Sequence, residues 1–427
     1  MPLTVSIRDF THDTEMALSI CLHHSRRIRR LHAEGPLGLL LAPLTGTFNI
    51  LEEARLEYHS DEGSSVRHIL HFRGDDFPRL HTLEIASADV AWDAFSLQSL
   101  RELKLNGRVR GLSTTSLLRI LQGSPSLRVL RVGRGVQLLP ASEGRAEARE
   151  AIPLAHLRQI HLYGAPQELA YVLDRFTVPY GNFHIYLAYV CDDGWWWRED
   201  GHSLDMLLPR QLAFRSLLPY CTSLILVIAL SGTRVLAFNQ SKACYLSIKT
   251  MNDLLFANGR YPTMTEEIWM SILDAFSCSP LSRFCLDYSH PLNITVPMWT
   301  SLCCRFPLYT VQTKLRGSME DRGRADLLQN LFTALRDPDS HRVHTLELVS
   351  LSLNSGTVGA ILDLLKDRAS MGAPLERLVF ILCYCENSLD RGALKQRFEN
   401  AADLVIRYDE DADSPDTDSK DEFRYTP

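Results

Sequence analysis

The sequence predicts an α/β fold of short parallel strands and amphipathic helices stacked as a curved solenoid, with strands on the concave side and helices on the convex side. Three observations carry this expectation: a recurring apolar spacing, its 20–32-residue interval, and helix signals between successive copies.

The spacing is L-x-x-L-x-L. It stands at Leu51/Ala54/Leu56, Leu80/Leu83/Ile85, Leu100/Leu103/Leu105, Leu127/Leu130/Val132 and Leu157/Ile160/Leu162, and returns at Leu281/Phe284/Leu286, Val343/Leu346/Leu348 and Leu375/Leu378/Phe380. Copies starting near 51, 80, 100, 127 and 157 are 29, 20, 27 and 30 residues apart, and 343 to 375 is 32. The last two apolar positions of each copy alternate with polar ones, as in a short strand with one buried face, and the first turns the chain into that strand.

Helix signals fill the intervals. "STTSLLRILQGSP" offers Ser113 as a cap, Leu117, Leu118 and Leu121 as an apolar face, and Gly123 as a stop. "PQELAYVLDRF" spaces Leu169, Val172, Leu173 and Phe176 at i, i+3, i+4 and i+7. "TMTEEIWMSILDAF" predicts a capping box of Thr263 with Glu266 ahead of Ile268, Ile272, Leu273 and Phe276. Leu327, Leu328, Leu331 and Leu335, then Val358, Ile361, Leu362 and Leu365, repeat the theme.

A strand–helix unit of this size cannot bury its apolar face alone, so units must stack; this is the logic of a leucine-rich repeat with irregular repeat lengths. The expected organisation is one solenoid over residues 1–408, with a strand–helix cap at 1–35 and less regular repeats with long connections at 163–280. Strands are still expected there, in "GNFHIYLAYV", "TSLILVIAL" and "ACYLSIKT".

Charge sets the tail apart. The net charge is −6, yet Asp409 to Glu422 holds eight acidic residues and one lysine, a local −7, leaving the remainder near +1. Residues 409–427 are therefore expected to be an acidic disordered tail, and the body lacks the basic field a nucleic-acid partner would need. The ten cysteines are scattered rather than evenly spaced, and the start lacks a basic and apolar leader. The runs "LGLLLAPL" and "LILVIAL" are far shorter than the roughly 20 residues of a membrane span. An intracellular protein, cytoplasmic or nuclear and away from the membrane, is the expectation.

Catalytic and cofactor motifs are lacking. There is no phosphate-binding loop, nucleophile elbow or H-E-x-x-H, and the glycines at 133 and 135 lack a third to complete a dinucleotide fingerprint. Cys303–Cys304 and Cys383-x-Cys385 do not have zinc-knuckle spacing and read as buried small hydrophobes. The basic run "HHSRRIRRLH" reads as a solvated turn with Ile28 and Leu31 pointing inward. No catalytic, metal or cofactor residue is assigned, and a non-enzymatic protein is expected.

The opening "PLTVSIRDF…ALSICLHHSRRIRRLHAEGP", followed by "ILEEARLEY", "FPRLHTLEIAS" and "LQSLRELKLNG", resembles the leucine-rich-repeat region of fungal F-box proteins, especially the large mushroom families. The resemblance covers roughly Pro2 to Leu162 and, more loosely, Leu281 to Leu382. It implies a substrate receptor of a cullin–RING ubiquitin ligase. The F-box of such chains would precede this opening, which starts at residue 2, so the F-box is expected to be absent and adaptor binding is not expected, whereas protein recognition is. Two rivals stand beside that reading: a degenerate repeat protein without a ligase role, and an enzyme on an α/β domain. The candidate partner-binding residues are Trp195, Trp196 and Trp197 in "CDDGWWWREDG", placed in the connection after the Phe183–Val190 strand, since tryptophan is a frequent hot-spot residue.

Overall fold

The computed structural model describes residues 2–7, 23–35, 47–58, 69–109, 111–136, 138, 151–178, 183–190, 217–229, 232–239, 244–251, 265–288, 294–315, 321–381, 383–385, 391–401 and 405–409. The chain forms two compact units, Met1–Tyr220 with Ala237–Asn258, and Cys221–Leu236 with Gly259–Pro427.

In the first unit the strands Leu3–Ile7, Ile28–Gly35, Glu53–Tyr58, Thr82–Ala86, Glu102–Asn106, Val129–Val132, Gln159–Gly164, Phe183–Val190 and Cys244–Met251 lie side by side in that order. Every one of these pairs is parallel. A parallel neighbour requires a crossover, and among the described residues of this unit two crossovers carry an α-helix: α1 (Thr114–Gly123) and α2 (Pro166–Leu173). Ser113 caps α1 as its spacing predicts, its hydroxyl accepting from Ser116 N at 3.0 Å. On α1 Leu117 and Leu121 are buried as expected, but Ile120 takes the buried place expected of Leu118.

Between Glu53–Tyr58 and Glu102–Asn106 the described crossover segments are not helical. They hold the short strands Ile69–Leu70 and Asp89–Val90 and a 3₁₀ turn, Trp92–Ala94. Aromatic rings fill the layer there: Phe48 stacks on Phe77 at 5.7 Å, Phe72 meets Phe77 at 5.7 Å and Phe95 at 5.9 Å, and Trp92 meets Phe95 at 5.7 Å. A flat aromatic side chain supplies the apolar area that a helix face supplies elsewhere.

In the second unit the strands Ser223–Ala229, Arg283–Tyr288, Thr310–Leu315, Thr345–Val349, Arg377–Ile381 and Val405–Asp409 are likewise successive and parallel. Its helices are α3 (Glu266–Ala275), α4 (Val296–Arg305), α5 (Asp321–Leu335), α6 (Ser355–Ser370) and α7 (Arg391–Ala401), each packed on the next. The cap of α3 is Thr265, whose hydroxyl accepts from Ile268 N at 3.3 Å, not Thr263. Thr263 itself lies outside the described residues. Glu266 is thus the first helical residue, where its charge favours the helix dipole instead of closing a capping box. On α6 Leu364 takes the buried place expected of Leu362.

All twenty-four residues of the eight repeat copies are buried, none more than 2% exposed. The register explains why. Leu83 pairs with Leu103, Leu103 with Leu130, Leu130 with Ile160 and Ile160 with Ile185, so each copy sets its apolar side chains directly beside those of the next. Three further copies escape the leucine pattern: Ile28/Leu31/Ala33, Cys221/Leu224/Leu226 and Leu308/Val311/Thr313 occupy the same buried positions. Ala, Cys and Thr there are small enough to pack but break the leucine spacing, although the inward Ile28 and Leu31 and the strand in "TSLILVIAL" were expected.

Two clusters hold the helical layer of the second unit together. Trp269, Trp299 and Phe284 form an edge-to-face trio with centroids 5.7, 5.7 and 6.0 Å apart, and Trp269 Nε1 donates to Met298 O at 2.8 Å. Arg368 of α6 is fully buried, and its guanidinium donates to the carbonyls of Leu335, Ser340, His341 and Val343 at 2.9, 3.1, 3.3 and 2.7 Å. It caps the carboxyl end of α5 and the turn that follows, satisfying carbonyls that a helix end leaves open. Among the described residues no helix is long and apolar enough to cross a membrane.

Candidate interaction face

Side chains alternate across a strand, so residues between the buried positions project from the opposite face of the sheet. Because the strands are in register, these residues form rows. In the first unit one row runs Arg55, Glu84, Lys104, Arg131, His161, Tyr186, each the register partner of the next. A parallel row runs Arg30, Glu53, Thr82, Glu102, Val129, Gln159, His184.

The two ends of this surface differ. At the amino-terminal end cations and carboxylates are matched: Arg29 with Glu52 at 2.7 Å, Arg30 with Glu53 at 3.4 Å, Arg55 with Glu84 at 3.7 Å and Lys104 with Glu102 at 3.3 Å. Such exposed pairs are screened by solvent and add little to stability. The Arg29 hydrogen bond holds the Glu52 carboxyl below the usual range. Two of the basic run's four arginines, Arg29 and Arg30, are in these pairs, while Ile28 and Leu31 are buried as expected.

From Val129–Val132 onward the face turns polar and aromatic. Arg131 donates to Gln159 Oε1 at 3.4 Å, Gln159 Nε2 lies 2.7 Å from His161 Nε2, and the His161 ring is 5.2 Å from that of Tyr186. Burial, then Arg131 and then His184, push the His161 pKa down to about 4; burial also lowers that of His184. His161 is therefore neutral at pH 7, and a ring nitrogen turned to Gln159 makes it one link in a hydrogen-bonded chain. Among the described residues the partner of Arg131 is this amide and not a carboxylate.

The second unit carries a smaller polar set. Arg283 reaches Glu347 at 2.8 Å and Gln312 at 3.4 Å across the sheet. At the strand entrances Tyr309 donates to Glu376 at 2.5 Å, His344 Nδ1 is 3.2 Å from the same carboxylate, and the Tyr309 and His344 rings stack at 5.0 Å. The Glu376 hydrogen bond raises the Tyr309 pKa. Burial pushes the Cys285 thiol up to about 12 and the Cys303 thiol up to about 11, so neither supplies a thiolate nucleophile at neutral pH. Among the described residues no group of three or more His, Cys, Asp or Glu is placed to hold a metal ion.

Trp195, Trp196 and Trp197 lie outside the described residues. The three other tryptophans, Trp92, Trp269 and Trp299, are core. The Arg131–Tyr186 cluster was not singled out from sequence. Its members fall at alternate positions of three strands, and only the pairing register brings them together.

The fold thus defines a mixed α/β protein with extensive, open, mostly parallel sheet. No family model matches the chain, and no curated protein matches it in sequence.

Proposed function

We propose that the chain is a non-enzymatic protein-interaction module: a leucine-rich-repeat solenoid that recognises another protein through the sheet face opposite its leucines. The observation that carries this is the registered row from Arg55 to Tyr186, which presents arginine, tyrosine and histidine on a rigid parallel sheet. Arginine and tyrosine are enriched where interfaces concentrate their energy, and a sheet already ordered by its core loses little freedom on binding. The repeat spacing and the likeness of the opening to F-box receptor chains support a substrate-recognition role of the ubiquitin-ligase receptor type.

Affinity purification with mass spectrometry tests this. Wild type is compared with an Arg131→Ala/His161→Ala/Tyr186→Ala variant and with a Trp195→Ala/Trp196→Ala/Trp197→Ala variant. The expected result is a specific protein client lost with the face variant, and co-purification of a cullin–RING adaptor would add the ligase role. An identical set of proteins with all three chains would sink the interaction reading.

A further inference from the structure

Along the central row of the first unit, charges alternate only as far as Lys104. Lys104 and Arg131 are then register partners, two cations side by side, followed by His161. Like charges directly opposite on neighbouring strands are destabilising. The carboxylates beside Lys104 are Glu102, at 3.3 Å, and its other register partner Glu84, which lies 3.7 Å from Arg55, whereas Arg131 has the Gln159 amide instead of an acid. The face positions of the next two strands are Gln159, His161 and Tyr163, then His184, Tyr186 and Ala188, with no acidic residue among them.

We infer that this patch takes an acidic, extended peptide segment of the protein partner, one carboxylate seated between Lys104 and Arg131 and the segment running over His161 and Tyr186. This deepens the interaction reading above and rests on it. The charge count selects carboxylate over phosphate. With His161 neutral, the three cations Arg55, Lys104 and Arg131 against the two carboxylates Glu84 and Glu102 leave one net positive charge, which a single carboxylate balances and a dianionic phosphate overshoots. Arg131 can meet a carboxylate with two parallel N–H donors, and the Tyr186 ring gives the segment's aliphatic stems a flat apolar surface.

The test uses fluorescein-labelled alternating Glu-Ala, Lys-Ala, Ser-Gly and phosphoserine-Ala peptides in fluorescence anisotropy, together with panning of a random peptide library on the full chain. The Glu-Ala peptide should bind best and weaken as salt rises from about 50 to about 500 mM. Arg131→Glu and Lys104→Glu should each weaken it by about tenfold or more, while Arg119→Glu, on the exposed side of α1 and away from the sheet face, leaves it unchanged. Thermal unfolding of each variant identifies loss of fold, and the two patch variants check one another. Preference for Lys-Ala, Ser-Gly or phosphoserine-Ala, or Glu-Ala binding indifferent to both patch substitutions, overturns the inference. Panning separates the two levels. An acidic consensus lost with Arg131→Glu supports the inference, and a neutral or basic consensus competing for the same face overturns it while the interaction reading stands. Enrichment of nothing takes down both.

Discussion

Arg368 shows how much one side chain does in this chain. Four backbone carbonyls converge on a guanidinium that burial would otherwise penalise, and burial lowers its pKa without removing its charge. Arg368→Ala is expected to cost about 3 kcal/mol, because the stranded carbonyls lose their donors, and Arg368→Lys should recover less than half, since a single ammonium cannot reach all four. Urea-unfolding midpoints measure both. The thiols give a second test at this scale. Cys278 is exposed, while Cys285 and Cys303 are buried with raised pKa values, so iodoacetamide at pH 8 should label Cys278 well ahead of the other two in peptide mass maps.

Among elements, three strands are left by a turn residue of the same left-handed conformation. Ser87, Gly107 and Ser350 each follow a strand directly and have φ of 57°, 62° and 57°. Gly135, at φ 90°, stacks on the turn before it; a Cβ there would come within 2.9 Å of Gly107 O. Gly135→Ala should therefore destabilise by about 2 kcal/mol, combining left-handed backbone strain with a clash against main chain. Ser113→Ala removes the cap of α1 and should cost about 1 kcal/mol, read as a lower thermal midpoint. Strand positions, their spacing, and the face of α5 were legible in sequence because leucine periodicity encodes burial directly; on α2 Leu169, Val172 and Leu173 are buried as expected, but Phe176 lies beyond the helix in the short strand Phe176–Thr177. The aromatic layer between Phe48 and Phe95 was not, because rings so far apart in the chain share no period. The cap of α3 was misplaced by two residues, since "TMT" offers two equivalent threonines and only backbone geometry chooses between them.

For the whole molecule, acid sensitivity follows from His161. Its folded pKa, about 4, lies below the ordinary 6.5, so between those values the unfolded chain holds more protons than the folded one. The stability contributed by the neutral His161 is complete above pH 6.5 and is lost as pH falls from 6.5 toward 4. His161→Gln should show a shallower acid limb in pH-dependent unfolding, and a limb identical to wild type would show that burial does not keep this imidazole neutral.

The sequence by itself determined the repeat, the strand that each copy forms and the buried face of that strand. These depend on local alternation and on apolar area, both of which can be read from residues close together in the chain. Only the tertiary structure decided the chemistry of the other face. Lys104, Arg131, His161 and Tyr186 come from four strands and meet solely because the parallel pairing holds them in register. A one-residue slip would turn each of them inward and its leucine neighbours outward, so the packing of the leucines is what aligns the polar row.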